Sequence, residues 1–164
     1  MMIRNLTVAD SSSFLNLLLT LDNETKFMML EPGERDTSIE STQKRLSSID
    51  ESMTALLGAF DGEKLIGFIS LSRNGANRAR HSAYIVMGVL SSYTGKGIGK
   101  LLFDAAEEWA KKHSVTRLEL TVMTHNINAV KLYKKVGFTK EGIKKNSLFV
   151  DGEYVDEFYM GKLL

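Results

Sequence analysis

Residues Ser92 to Leu102 read SYTGKGIGKLL, with three glycines at alternate positions directly ahead of an apolar helical pattern. A glycine inside an element costs about 0.5–1 kcal/mol relative to alanine, so three within so short a stretch need a reason. The preceding HSAYIVMGVL, His81 to Leu90, reads as a strand, and Ile98, Leu101, Leu102, Ala105 and Trp109 fall on one face of the helix that follows. Between strand and helix, the N–H groups of the first helical turn and the positive end of the helix dipole favour an anion, and phosphate is the obvious guest. Two familiar phosphate loops fail on spacing. For a P-loop, Gly99-Lys100 is followed by Leu101, and Thr94 stands where the first glycine belongs. For a dinucleotide fingerprint, Gly95 and Gly97 put the third glycine at Lys100, although Glu119 lies near the distance expected of the ribose acid.

Working outward, Ile3–Leu6 reads as a first strand, and Asp10 or Ser11 as the N-cap of a helix with Phe14, Leu17, Leu18 and Leu21 at helical spacing. Asp22–Thr37, which holds the lone Pro32 and then Gly33, reads as a loop. Ser38 caps a second helix with Ile39, Thr42, Leu46 and Ile49 inward. Strands Met53–Phe60 and Lys64–Arg73 are joined by Asp61-Gly62, a hairpin signal. Arg117–Thr124 alternates, with Leu118, Leu120 and Val122 on one face and Glu119, Thr121 and Met123 on the other. Asn126 caps a last helix with Ala129, Val130, Tyr133 and Val136 as its stripe, and Gly137 ends it. Strands at about Phe138–Phe149 and Glu153–Lys162 close the chain around Val150-Asp151-Gly152. The order βααβββαβαββ mixes hairpins with crossovers, which predicts an α/β (mixed α+β) fold: a central mixed sheet of six or seven strands with about four helices. The length of 164 residues, without repeats or a linker, predicts one domain over 1–164.

Composition narrows the function. The chain is 43% hydrophobic and 25% charged, and no apolar run approaches the roughly 20 residues needed to span a bilayer. FLNLLLTL, Phe14–Leu21, follows Asp10 rather than a basic segment, which argues against a signal peptide. The absence of cysteine excludes disulfides, Cys-ligated zinc and a thiol nucleophile, and cytoplasm is the expected compartment. His81, His113 and His125 lack metal-ligand spacing, so no metal is expected. A net charge of +1 gives no case for nucleic acid, nor does the sequence suggest a membrane partner. Lysines do outnumber acids from Gly95 to Lys145, either as solvated helix faces or as a field for a multiply charged small ligand.

The surviving spacing carries a resemblance. VLSSYTGKGIGKLL is similar to motif A of the GNAT superfamily of acyl-CoA-dependent N-acetyltransferases, a strand, then [QR]xxGx[GA], then a helix. NINAVKLYKKVGF, Asn126–Phe138, resembles the same family's NxxAxxLYxxxGF segment. The likeness covers about Leu56 to the C-terminus. DGEYVDEFYMGKLL together with FMMLEPGER looks like the branch that acetylates amino acids and ribosomal proteins.

That resemblance implies a GNAT-like fold and transfer of acetyl from acetyl-CoA to a primary amine by direct attack in a ternary complex. It implies that Gly95, Lys96, Gly97, Ile98, Gly99 and Lys100 hold the cofactor's pyrophosphate, and that Met87, Gly88 and Val89 pair with its pantetheine arm. A backbone N–H near Val89 would polarise the thioester carbonyl. Asn126 would contact the arm and Tyr133, nearly two turns on, would protonate the departing thiolate. By spacing alone Tyr133 reads first as a core aromatic of the apolar stripe, and the motif context reverses that. Some members carry a base on the fifth strand where this chain has Thr121. Glu119, one pleat earlier on the same face, either acts through water or pairs with Arg117 or a nearby lysine. Thr94 replaces the motif's Gln or Arg, and Ser91 stands where many members have proline.

The acceptor is a small-molecule or peptide amine of unspecified kind. Phe27, Met28 and Met29 line an acceptor pocket or belong to the core, and Glu31, Arg35, Asp156 and Glu157 border the acceptor side in the family. Dimerisation is common there, so a homodimer is one expected state, though no residue marks it. The competing class is a non-catalytic acyl-CoA sensor that kept the cradle and lost the acceptor site.

Overall fold

Alternation and turn chemistry produce the elements in the expected order. The structure, a computed structural model, describes residues 1–164. Its strands are β1 (Met2–Asn5), β2 (Thr54–Asp61), β3 (Lys64–Arg73), β4 (Ser82–Val89), β5 (Arg117–Met123), β6 (Thr139–Val150) and β7 (Glu153–Leu163). The helices are α1 (Ser11–Glu24), α2 (Ile39–Ser47), α3 (Ile98–Lys112) and α4 (Ile127–Lys135). One sheet runs in the order β1-β2-β3-β4-β5-β7-β6, antiparallel throughout except for the β4–β5 joint. That joint is parallel because α3 carries the chain back across the sheet between the two strands.

Successive residues of β2 and β3 are buried, so this half of the sheet is covered on both faces. On one face α1 packs with Phe14 edge-on to Phe68, their ring centroids 5.5 Å apart. On the other, α3 supplies Ile98, Leu102, Phe103, Ala106 and Ala110, all buried. The expected inward stripe of α3 is corrected here: Leu101 is 42% exposed, because the buried face follows steps of four from Ile98 and Leu101 falls outside it. Ile39, expected inward, is exposed at the first position of α2.

Local chemistry shifts other boundaries. Asp10 does not cap α1 with its side chain. It takes Arg4 in a bidentate pair at 2.7 and 2.8 Å and also accepts from Thr7 N–H. Helix α1 runs on to Glu24, where a loop was expected from Asp22. Asp22 stays on the buried side because Arg35 grips it with two bonds, at 2.6 and 2.9 Å. The β2–β3 turn is Gly62-Glu63, one residue later than expected, with Gly62 at φ +59° and Asp61 pairing Lys64. Asp151 (φ +53°) and Gly152 (φ +81°) form the β6–β7 turn, two left-handed residues that suit strand twist. No helix is long and apolar enough to cross a membrane.

Candidate active site

The parallel joint stops early. Only Ser82, Ala83 and Tyr84 of β4 have partners on β5, namely Arg117, Leu118 and Glu119. Beyond that rung the strands part, while β4 continues to pair with β3 as far as Val89. Tyr84 marks the point of parting: its hydroxyl bonds Thr121 Oγ1 at 2.7 Å and accepts from Thr121 N–H at 3.3 Å. A side chain thus satisfies a donor that the next ladder rung would have used. Leu90 N–H bonds Ile66 on the β3 side, so by the alternation of an antiparallel ladder Met87 and Val89 turn their N–H and C=O groups away from β3, into the wedge. No β5 residue stands opposite them.

At the wedge mouth the glycine stretch divides into two jobs. Gly95 (φ +75°) and Gly97 (φ +82°) adopt backbone that side chains rarely tolerate, and a Cβ on either would project into open space. Gly97, as the N-cap of α3, has no side chain to offer, and the first helical bond is Leu101 N–H to Gly97 O at 3.2 Å. The N–H groups of Ile98, Gly99 and Lys100 therefore remain uncapped, a donor set that fits a phosphate-bearing group. Gly99 is needed for packing: a Cβ there would stand 2.5 Å from Leu132 Cδ2, so its absence lets α4 close against α3. Lys96 lies over the Tyr93 ring, its Nζ 4.9 Å from the centroid, and Lys100 pairs with Asp104 at 2.6 Å. Both contacts are exposed and worth at most about 1 kcal/mol, so either lysine is easily recruited elsewhere. Ser91 also finds a role: its N–H (2.7 Å) and Oγ (3.0 Å) both donate to Glu24 at the end of α1, and proline there would lack the first donor.

Helix α4 reaches the wedge from the α3 side. Asn126 caps it, Oδ1 accepting from Ala129 N–H at 3.3 Å, which leaves its amide nitrogen unbonded. Tyr133 packs edge-on against Phe103, centroids 5.8 Å apart, and its hydroxyl makes no hydrogen bond. Burial, then the proximity of Tyr84, pushes the Tyr133 phenol up to about 12. The hydroxyl therefore stays protonated, a donor without a protein partner.

Glu119 is drawn into an ion pair. Arg117 Nε donates to it at 2.9 Å while the two terminal nitrogens of Arg117 bind Glu141 at 2.5 and 3.0 Å. Gly161 on β7 lies beneath this bridge, and a Cβ there would come within 2.8 Å of the Glu141 carboxylate. Glu141 is the extra residue of a bulge between Lys140 and Gly142, which turns its side chain across β7.

Register puts Tyr84, Glu119, Thr121, Met123, Glu157 and Tyr159 on one sheet face, the face of α1. The loop after α1 extends over this face. Phe27 meets His125 at 5.2 Å between centroids, Lys26 pairs with Asp151, and Met28 Sδ lies 3.6 Å from where a Gly88 Cβ would stand. Met29 is exposed. Among the other charged candidates, Arg35 is spent on Asp22, Asp156 on Lys145 and Asn146 N–H, and Glu31 is exposed. Tyr84, Ser91 and Glu141 were not singled out from sequence for these roles. Ser91 was marked by the missing proline and Tyr84 by lying on the same strand face as Gly88, whereas Glu141 carried no signal.

A family model described as acetyltransferase (GNAT) family matches residues 17–138. An L-amino acid N-acetyltransferase, AaaT, of Escherichia coli (strain K12) is 32% identical over 66% of this chain and 67% of its own length. A streptothricin acetyltransferase of Escherichia coli is 30% identical over 76% of each chain. The crystal structure of an acetyltransferase of the GNAT family from Streptococcus pneumoniae superposes with a TM-score of 0.89 at 29% identity, covering 99% of both chains.

Proposed function

The chain belongs to the acetyltransferase (GNAT) family and carries acetyl from acetyl-CoA to a primary amine, and from that premise we propose how residues 1–164, as one domain, divide the work. The observation that carries the reading is the wedge itself, with backbone donors on β4, a glycine cradle at its mouth and an unpartnered phenol within reach. Acetyl-CoA supplies an activated acyl thioester.

The N–H groups from Gly95 to Lys100 hold its pyrophosphate, and Lys96 and Lys100 leave their surface contacts to add charge. Met87 and Val89 pair with the pantetheine arm as a strand would, Gly88 keeps that edge slim against Leu21, and the Asn126 amide steadies the arm. The Val89 N–H is the donor aimed at the carbonyl oxygen. Tyr133 Oη holds a proton beside the leaving group. With the phenol at about 12, full transfer to a thiolate whose conjugate acid is near 8.5 costs roughly 5 kcal/mol, so Tyr133 acts first as a hydrogen-bond donor to the sulfur. Glu119 stays with Arg117 in this reading and leaves the catalytic set.

An α-amine, of a free amino acid or a peptide N-terminus, is the acceptor suggested by the L-amino acid and ribosomal-protein alanine N-acetyltransferases that the chain resembles. A cytoplasmic setting suits that cosubstrate and a chain without cysteine. The test is release of CoA thiol from acetyl-CoA across an amine panel, with mass detection of the product. Tyr133→Phe is expected to lower turnover about 100-fold or more while acetyl-CoA affinity stays within a factor of about three. Unchanged turnover in that variant removes Tyr133 from the donor role.

A further inference from the structure

Three acids are buried in this protein: Asp10, Asp22 and Glu157. The first two are each closed by a bidentate arginine. Glu157 is only 6% exposed yet forms no ion pair. Its single partner is Ser147, whose Oγ donates to Oε1 at 2.5 Å. No buried side-chain oxygen lacks a partner, so Oε2, which accepts no bond, opens onto accessible space. Lys144 stands opposite on β6, but it is exposed and does not pair with Glu157. A buried carboxylate without a cation is costly to keep, and the natural complement is a cation that arrives with a ligand.

Position says which ligand. The last β4–β5 rung joins Tyr84 to Glu119, and carrying that register onward would set Gly88 level with Met123. Met123 in turn pairs Glu157 on β7, on the face covered by the loop after α1. Glu157 therefore lies at the level of the wedge where Val89 turns its N–H inward, across β5. Two strand spacings of about 4.8 Å would put β7 about 10 Å from β4, and the parting of β4 from β5 beyond Tyr84 makes that a minimum. A chain of about five carbons or more between two nitrogens, plus a charge-assisted hydrogen bond of about 2.8 Å, is needed to cover that span. An irregularity in β6 between Lys144 and Leu148 is what turns Ser147 toward the carboxylate and leaves Oε1 occupied and Oε2 open.

We propose that Glu157 is an anionic acceptor subsite, and that the preferred acceptor carries a second positive charge about five carbons or more from the amine that is acetylated, as in a dibasic amino acid or, as its simplest mimic, a diamine. This rests on the acetyl-transfer reading and narrows its acceptor. The subsite selects by charge: Oε2 receives the distal ammonium, and a neutral amine of the same length leaves the carboxylate unpaired.

The experiment compares cadaverine with n-pentylamine, and L-lysine with L-norleucine, in wild type and Glu157→Gln. Wild type is expected to favour the dibasic member of each pair at least tenfold in kcat/KM. In Glu157→Gln that preference collapses to within twofold through a raised KM for the dibasic acceptor, while pentylamine turnover and acetyl-CoA affinity by calorimetry hold. Glu157→Asp, which keeps the charge, is expected to retain part of the preference. Melting separates a binding role from a structural one: Glu157→Gln keeps or raises Tm when the carboxylate serves a ligand, and a lowered Tm with unchanged preference overturns the subsite. Equal wild-type rates on charged and neutral amines also overturn it while leaving acetyl transfer standing. No turnover on any amine together with no acetyl-CoA binding overturns both.

Discussion

The two halves of the sheet are held by different means. In the half from β1 to β4, successive residues of β2 and β3 are buried beneath α1 on one face and α3 on the other, and the cohesion is apolar. From β5 to β7 one face carries the core residues Leu118, Leu120, Val122 and Met160, while the other carries Arg117, Glu119, Glu141, Glu157 and Tyr159. Helix α4 has no fully buried residue. The lesson is a division of labour: the sealed half gives rigidity to β4 and its backbone donors, and the polar half remains free to choose an acceptor. They meet at Tyr84 and Glu119, where the ladder ends.

Replacing Phe103 should break the contrast most severely, since this fully buried ring of α3 touches both Tyr133 and Phe138. Phe103→Ala is expected to cost about 3–5 kcal/mol by urea unfolding. Phe149→Ala, at a ring 61% exposed on β6, should stay within about 0.5 kcal/mol. Equal losses would mean that the β6–β7 hairpin is as much a part of the core as α3.

The next effect depends on pH. Arg4 holds the Asp10 carboxyl down at about 2 in the folded chain, against 3.8 ordinarily. A lowered folded value contributes stability above pH 4 that is lost as pH falls from about 4 through 2. At most about 2 kcal/mol is at stake, and less in practice because Arg4 is 38% exposed. Melting of wild type against Asp10→Asn should show a gap at pH 7 that closes by pH 2. A gap independent of pH would assign the effect to packing.

The smallest effect is expected where the polar half is busiest. Glu119→Gln removes a charge from Arg117 but leaves the Glu141 bridge, so turnover should change less than about threefold. A loss of 100-fold would return Glu119 to the chemistry as a base.

Much of this was legible in the chain. Period-two alternation in Arg117–Met123, the glycine turns and the Asn126 cap fixed element order, because each is a local preference. Leu101 misled because three adjacent apolar residues, Leu101, Leu102 and Phe103, blur the helical phase, and only the packed sheet chooses among them. Glu119 left two readings open, and its pairing with Arg117 depended on how Gly161 clears a path for Glu141 from another strand. The same holds for Glu157 and Ser147, whose meeting depends on an irregular stretch of β6 that no spacing rule announces.

Strand β6 closes one end of the sheet and, at 12 residues, would offer a long template of unpaired backbone to any passing strand. Its two breaks in register, which aim Glu141 and Ser147 inward, also interrupt that template, and Lys140, Lys144 and Lys145 along it repel a second copy. The irregularities that shape the polar face thus also guard the molecule against growing by one strand at its open edge.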